Sequence, residues 1–384
     1  MGLATAGRRR YKSKSMSGFP SRFFTLAFLG HATISSMPAA TPDLQAGLEA
    51  LRQKHGVPAL GAAVMVEGEL RFLGVTGVRM VGSGTPVTTN DLWHLGSCTK
   101  SMTATLAGIM VDEGKVRWDM KITEVLPEYK TVLHPSWQDV TMEELLQHRS
   151  GAPAQANADA WSLAWQRRGS ELAQRMMLIR SVVSRPTESP AGSTYLYSNL
   201  GYTIAGAMLE RIAKKPYDQL LTEKVFTPLG MKSAGFGGCG ENQPRGHTGS
   251  PGAFKAVEPD ADNPPAITPA GRVHCSLGDY VRYASWHARG PLSDVKLMSD
   301  STLQTLHTRG PGQTYAMGWG VARRDWADGD AINHNGTNTM WYAIMWVAPA
   351  KQLALVSVTN CPGPTGAKAC DEAIGMMIQA TAKR

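Results

Sequence analysis

Little in this 384-residue chain supports disulfide or metal chemistry. Its five cysteines (Cys98, Cys239, Cys275, Cys361 and Cys370) are an odd number, so they cannot all pair, and none stands in CxxC spacing. Cys361 and Cys370 are near enough in sequence to bridge in an exported protein; buried free thiols are the other reading. The chain has no HExxH, no paired ligand spacing and no Gly-x-Ser-x-Gly turn, which disfavours a zinc enzyme and a Ser-His-Asp hydrolase. The Gly-rich segments 235–240 and 246–252 lack the phosphate-loop pattern, so nucleotide binding is not expected. There is no internal repeat, no low-complexity tract, and no apolar run near the roughly 20 residues that a membrane span needs.

What is present is unevenly placed. Lys and Arg number 39 against 31 Asp and Glu, a net charge of +8. Arg8, Arg9, Arg10, Lys12, Lys14 and Arg22 fall within residues 1–40, which hold no acidic residue. Without those six, 33 basic residues face 31 acidic ones, so the basicity belongs to the N-terminus and no nucleic-acid surface is expected. The basic stretch precedes the apolar run Phe23–Leu29 and the small residues Pro38-Ala39-Ala40, the order of an export signal. Residues 1–40 are therefore read as a signal peptide, with Met16 as an alternative start, and the protein as periplasmic or secreted. A basic extension or an uncleaved anchor is the alternative.

The remaining residues, 41–384, read as one domain with two lobes. Leu44, Leu48 and Leu51 give helical spacing over Pro42–His55, ended by Gly56. Two strands, Ala59–Val66 and Leu70–Val75, flank the turn signal Glu67-Gly68-Glu69. A helix is expected from Ser97 to about Asp112, with Met102, Leu106, Ile109 and Met110 on its apolar face. Residues 115–235 are mostly helical by pattern, broken by Pro127, Pro135, Pro186 and Pro190. The Gly- and Pro-rich stretch 236–270 reads as a long irregular loop of the kind that forms lids or rims. Strands return at Ala316–Ala322, Trp341–Val347 and Leu353–Val358, before a closing helix from about Lys368 to Thr381. The expected fold class is α/β (α+β). One antiparallel sheet joins both chain ends (about 41–95 and 305–384), flanked by helices, and a mostly helical lobe spans about 96–304.

Three short motifs carry chemistry. In Ser97-Cys98-Thr99-Lys100, the lysine lies one helical turn from the serine. A free serine hydroxyl is a poor nucleophile and needs a base. At a helix N-terminus the dipole pushes Lys100 toward the neutral amine that such a base requires, and the same amides suit an oxyanion. A second match, Ser293-Asp294-Val295-Lys296, lies in a polar stretch after Gly290-Pro291 and is read as accidental. In Tyr197-Ser198-Asn199, a phenol near an ammonium can be partly ionised and shuttle protons, while Asn199 can bond the lysine or a substrate amide. In His334-Asn335-Gly336, at a strand position, Gly336 lets a substrate approach the backbone closely and His334 can orient the substrate or donate a hydrogen bond. The amide of Thr337, with that of Ser97, can form an oxyanion hole.

The order and spacing of these motifs resemble the serine β-lactamase and penicillin-binding-protein superfamily, and within it the class C branch. That branch includes D-alanyl-D-alanine carboxypeptidases, D-aminopeptidases and lactamase-fold esterases. The resemblance covers nearly all of 42–382 and includes the stretches Leu145–Gly151, Phe226–Met231 and Pro269–Ser276. It implies a β-lactamase/transpeptidase-like fold with the site between sheet and helical lobe. It also implies Ser97 as acylated nucleophile, Lys100 as the group that deprotonates it, Tyr197 as general base or acid, and Asn199 as a substrate contact. No cofactor and no metal are implied; the partner is a small-molecule or peptide substrate. One departure matters: class C β-lactamases have Lys-Thr-Gly at the third motif, where this chain has His334-Asn335-Gly336. A lysine suits a substrate carboxylate, and neutral histidine is a weaker anchor. His-x-Gly also occurs in the esterases and D-aminopeptidases of the family. The leading expectation is a serine hydrolase acting on an ester, amide or β-lactam. The alternatives are a peptidoglycan D-peptidase and a penicillin-binding sensor that is acylated without turnover. Arg323, Arg324 or Lys351 are the candidates for a compensating charge.

Overall fold

The computed structural model describes residues 42–382, so the export signal expected over 1–40 lies outside the described residues. Helix α1 (Pro42–His55) ends as its leucine spacing predicts, at Gly56, whose φ of 61° favours glycine. Strands β1 (Ala59–Val66) and β2 (Glu69–Gly77) pair antiparallel around Glu67 and Gly68. Both turn residues have positive φ (55° and 84°), the twist that a two-residue hairpin needs. After β3 (Leu92–His94), a 3₁₀ turn over Gly96–Cys98 leads into α2 (Thr99–Asp112). The expected apolar stripe of α2 is in fact a helix buried all round from Thr99 to Met110. Its hydroxyls are satisfied locally: Ser101 Oγ donates to Cys98 O at 2.8 Å and Thr105 Oγ1 to Ser101 O at 2.9 Å.

Helices α3 (Ile122–Val125), α4 (Met142–Leu146), α6 (Glu171–Val183) and α8 (Tyr217–Leu221) pack around α7 (Asn199–Ala213), which lies on α2, and α5 (Ala158–Trp165) packs on α6. The stretch 236–270 is largely irregular. It carries the end of β4 (Gly235–Phe236), a minimal hairpin of β5 (His247–Thr248) and β6 (Lys255–Ala256), and the start of α9 (Thr268–Gly271). Strand β7 (Val273–Ser276) joins β3 and β4 in a small sheet. Then follow α10 (Leu277–Arg289), α11 (Asp300–His307), β8 (Gly320–Arg324), β9 (Gly329–Thr337), β10 (Tyr342–Ala348), β11 (Leu353–Thr359) and α12 (Gly363–Ala382).

The main sheet has the order β2-β1-β11-β10-β9-β8, with every neighbour antiparallel, so the two chain ends meet in one sheet as expected. Helices α1 and α12 cover one face through Leu48, Leu60, Val64, Leu355 and Ile374. On the other face, Ala63, Met345 and Val356 meet Leu277, Tyr280 and Val281 of α10. Burying a leucine in either layer contributes about 1.5–3 kcal/mol.

Some expectations are corrected. The strand expected over Ala316–Ala322 begins only at Gly320, because Gly318 turns the chain at a φ of 81° and Ala316 N donates to Trp319 O. Helix α12 starts at Gly363, five residues before Lys368. Helix α10, within the stretch read as helical lobe, packs on the sheet. Of the two readings of Cys361 and Cys370, the structure has the buried free thiols: all five cysteines are free and buried, and these two fill the core at α12 as small apolar side chains.

Candidate active site

Ser97 sits in the 3₁₀ turn that launches α2, with its hydroxyl reached from two sides. Lys100 Nζ lies 3.1 Å from Ser97 Oγ, and Tyr197 OH donates to the same oxygen at 2.7 Å. Lys100 is fully buried, and its Nζ donates to Asn199 Oδ1 and to Ala270 O, each at 2.7 Å. The Ser198 side chain caps α7, which places Tyr197 and Asn199 on either side of the cap, one toward the serine and one toward the lysine.

The electrostatics favour a neutral pair. Burial pushes the Lys100 amine well below the usual lysine range, although the nearby Cys98 opposes this. Burial also pushes the Tyr197 phenol up, more than its bond to Ser97 lowers it. The partly ionised tyrosine expected from the motif is therefore not what the site holds. Tyr197 is a phenol that donates to Ser97 Oγ, and in its neutral form Lys100, held by Asn199 and Ala270, offers a lone pair to the serine proton.

The third motif approaches this turn through backbone. Strand β8 pairs with β9 only from Gly329 to Asn333, which leaves His334–Thr337 as an open edge beside the Ser97 turn. Glycine makes the approach possible on both sides. A Cβ on Gly336 would meet the Leu95 carbonyl oxygen and stand 2.5 Å from Ser97 N and 2.7 Å from Cys98 N. A Cβ on Gly96, itself at a φ of 50°, would strike Thr337 N. Gly336→Ala is expected to force β9 off the Ser97 turn, at a cost on the order of 3 kcal/mol. Thermal unfolding checks it; an unchanged midpoint would show that the backbones are not in this contact.

His334 is placed differently from its expected role. It is buried, its Nδ1 donates to Asn335 O at 2.7 Å, and Tyr315 OH donates to its Nε2 at 3.0 Å. Both ring nitrogens are thus engaged inside the protein. Burial, with Lys100 nearby, lowers its pKa to about 3, so the ring carries no charge at neutral pH. The candidate compensating charges are elsewhere. Arg323 and Arg324 pair with Asp330 and Gly329, at the opposite end of β9 from Thr337. Lys351 lies in the β10–β11 turn, 3.3 Å from Asp328. Ser293 and Lys296 make no bond to each other, and Ser293 Oγ accepts from Val295 N.

Other contributors gave no motif-level signal. Ala270, in a stretch read as a landmark, holds Lys100 through its carbonyl, and only tertiary contact reveals that. His148, in another landmark, accepts from Ser198 N at 3.0 Å and stacks at 4.4 Å between ring centroids on Tyr197. Tyr315 and the half-exposed Tyr195 extend this aromatic wall. Among the described residues, no group of three or more His, Cys, Asp or Glu is arranged to hold a metal ion.

A helix-flanked antiparallel sheet, a helical lobe and a serine–lysine–tyrosine cluster between them define the β-lactamase/transpeptidase-like architecture. The chain matches the Beta-lactamase family model over residues 44–375 and belongs to that family. It is 29% identical over 339 residues to Penicillin-binding protein 4 of Amycolatopsis lactamdurans, covering 84% of this chain and 86% of that one. Among solved structures it resembles the octameric penicillin-binding protein homologue from Pyrococcus abyssi. The TM-score is 0.73, with 20% identity and coverage of 88% of this chain and 77% of that one. It also resembles the D-amino acid amidase from Ochrobactrum anthropi SV3, with a TM-score of 0.69, 21% identity, and coverage of 89% of this chain and 100% of that one. The family match bears out the expected superfamily and with it the class of hydrolase, and the solved structures bear out the expected fold.

Proposed function

We propose that the protein is a serine hydrolase that forms an acyl-enzyme on Ser97 and cleaves esters or amides that need no carboxylate anchor. One observation carries this reading: Ser97 Oγ lies between a buried lysine amine at 3.1 Å and a tyrosine hydroxyl at 2.7 Å. Lys100 takes the hydroxyl proton as Ser97 Oγ bonds the substrate carbonyl carbon. The carbonyl oxygen becomes an oxyanion facing the amides of Ser97 and Thr337. Tyr197 gives its proton to the leaving group and regains one from the Lys100 ammonium. Water then repeats the sequence in reverse to release the acid. Asn199 keeps Lys100 in place, and the open edge of Gly336 and Thr337 receives the substrate backbone.

The substrate preference follows from His334. A β-lactam or a peptide C-terminus presents a carboxylate, and this site meets it with a neutral, already bonded imidazole. The half-exposed Tyr195, packed on the buried Tyr315, supplies apolar surface instead. The Tyr-x-Asn second motif favours the class C branch of the family, and the order of residues 8–29 supports action in the periplasm or medium. Purified protein is expected to hydrolyse p-nitrophenyl butyrate at least tenfold faster than a chromogenic cephalosporin, judged by kcat/KM. The reverse order would make it a working β-lactamase. A cephalosporin adduct on Ser97 that does not turn over would favour the penicillin-binding reading, which the similarity to Penicillin-binding protein 4 supports.

A further inference from the structure

Asp262 lies in the irregular 236–270 stretch, yet it is among the most buried charged residues, 2% exposed. Its Oδ1 accepts from Asn338 Nδ2 at 3.0 Å and stands 2.9 Å from His94 Nε2. Its Oδ2 accepts from Arg272 Nε at 2.9 Å, and its backbone oxygen accepts from Arg167 Nη2 at 2.8 Å. Burial alone would raise its pKa, but His94 and Arg272 hold it below the usual carboxylate range, so it stays charged.

The two contacts of Oδ1 lead to the two sides of the catalytic turn. His94 Nδ1 accepts the Gly96 N–H at 3.1 Å, so its Nε2–H is the ring proton that faces Asp262. That contact is close but off-line, so Nε2 has no well-formed hydrogen bond and the attraction is mainly electrostatic. Gly96 immediately precedes Ser97. On the other side, Asn338 immediately follows Thr337. One carboxylate oxygen thus meets the residue bonded to the amide before Ser97 and the residue after Thr337. Between these points the backbones of Gly96 and Thr337 touch. Stability is a weak account of such a cluster, because buried ion pairs are often replaceable by apolar packing without loss.

We propose that Asp262 is a positioning residue that holds the amides of Ser97 and Thr337 in register as an oxyanion hole. The inference rests on the reading of Ser97 as the acylated nucleophile. Asp262→Asn keeps the shape but replaces one accepting oxygen by a donor, which faces the N–H of Arg272 or those of His94 and Asn338. With p-nitrophenyl butyrate, kcat is expected to fall about 10- to 100-fold, short of the loss on deleting a donor outright. KM stays within about twofold, because ground-state binding does not use the oxyanion geometry. Phosphonylation of Ser97 by ethyl p-nitrophenyl methylphosphonate joins Oγ to phosphorus and expels p-nitrophenolate. Its rate is expected to fall by the same factor.

Asn338→Ser removes one bond to Asp262, together with the bond that Met340 N donates to Asn338 Oδ1, and leaves Arg272 and His94 on the carboxylate. A smaller loss confined to kcat is expected there, and this variant decides the matter if Asp262→Asn does not fold. The proposal is overturned if the folded variants keep the wild-type kcat and phosphonylation rate, or if the loss only tracks the unfolded fraction. A wild-type protein that is not phosphonylated at Ser97 overturns instead the functional reading beneath it.

Discussion

Ser97→Ala is expected to lower turnover of p-nitrophenyl butyrate by about 10⁴-fold or more while leaving the thermal midpoint within a few degrees. The loss is large because the variant has no atom to carry the acyl group, and Lys100 and Tyr197 then act together on nothing. The fold survives because the Ser97 side chain is only partly buried and its turn is held by backbone: Cys98 N donates to Leu95 O, and Gly96 N to His94 Nδ1. Removing the hydroxyl frees the Tyr197 proton from its partner, a cost of about 1 kcal/mol. Ser293→Ala is the control. That serine has the same spacing to Lys296 but caps a surface turn, so its rate should match wild type. If Ser293→Ala were the inactive variant, the nucleophile would be misassigned.

The two serine–lysine matches also show what was legible in the sequence. Both have the i, i+3 spacing, and what separated them was context: a strand and a glycine before Ser97, a periodic helix after it. Such local features read well. Helix α1 and strand β1 have the expected bounds because leucine periodicity, Gly56 and the Glu67-Gly68 turn are local signals. The joining of both chain ends followed from the order of strands and helices alone. Interactions across long sequence separations did not read. Ala270 O on Lys100 spans 170 residues, and Asn338 on Asp262 spans 76; neither leaves any periodicity in the chain. The state of His334 was also hidden. The motif shows a histidine where relatives with Lys-Thr-Gly have a cation, but only Tyr315 and burial show that the ring is neutral and occupied. The error in β8 has the same origin. Ala316 and Met317 are apolar because they are buried in the core, beside Gly318, where a Cβ would stand 2.8 Å from Ser101 Cα, and not because they form a strand.

Lys100→Met is expected to abolish most turnover, by about 10²- to 10⁴-fold, with little change in stability at pH 7. Methionine fills much of the same volume but cannot accept the serine proton. Two energetic effects oppose one another. The substitution orphans Asn199 Oδ1 and Ala270 O, at about 1–3 kcal/mol each. It also removes the cost of stripping a proton from a lysine on burial, about 1.4 kcal/mol for each unit from 10.5 down to the lowered value or to pH 7, whichever is higher. The pH dependence separates these effects. Between the lowered value and the ordinary lysine value of 10.5, the unfolded chain holds a proton at Lys100 that the folded chain lacks. Wild-type stability therefore gains, as pH rises through that window, a contribution that approaches about 1.4 kcal/mol per unit, and the variant lacks it. Turnover changes in the same direction, falling as acid protonates the amine. Denaturant unfolding of both proteins at several pH values from 7 to 9 measures the difference directly. Diverging curves place a neutral amine beside Ser97. Parallel curves would mean that Lys100 stays an ammonium in the folded protein, and the proton of Ser97 would then have to leave by way of Tyr197.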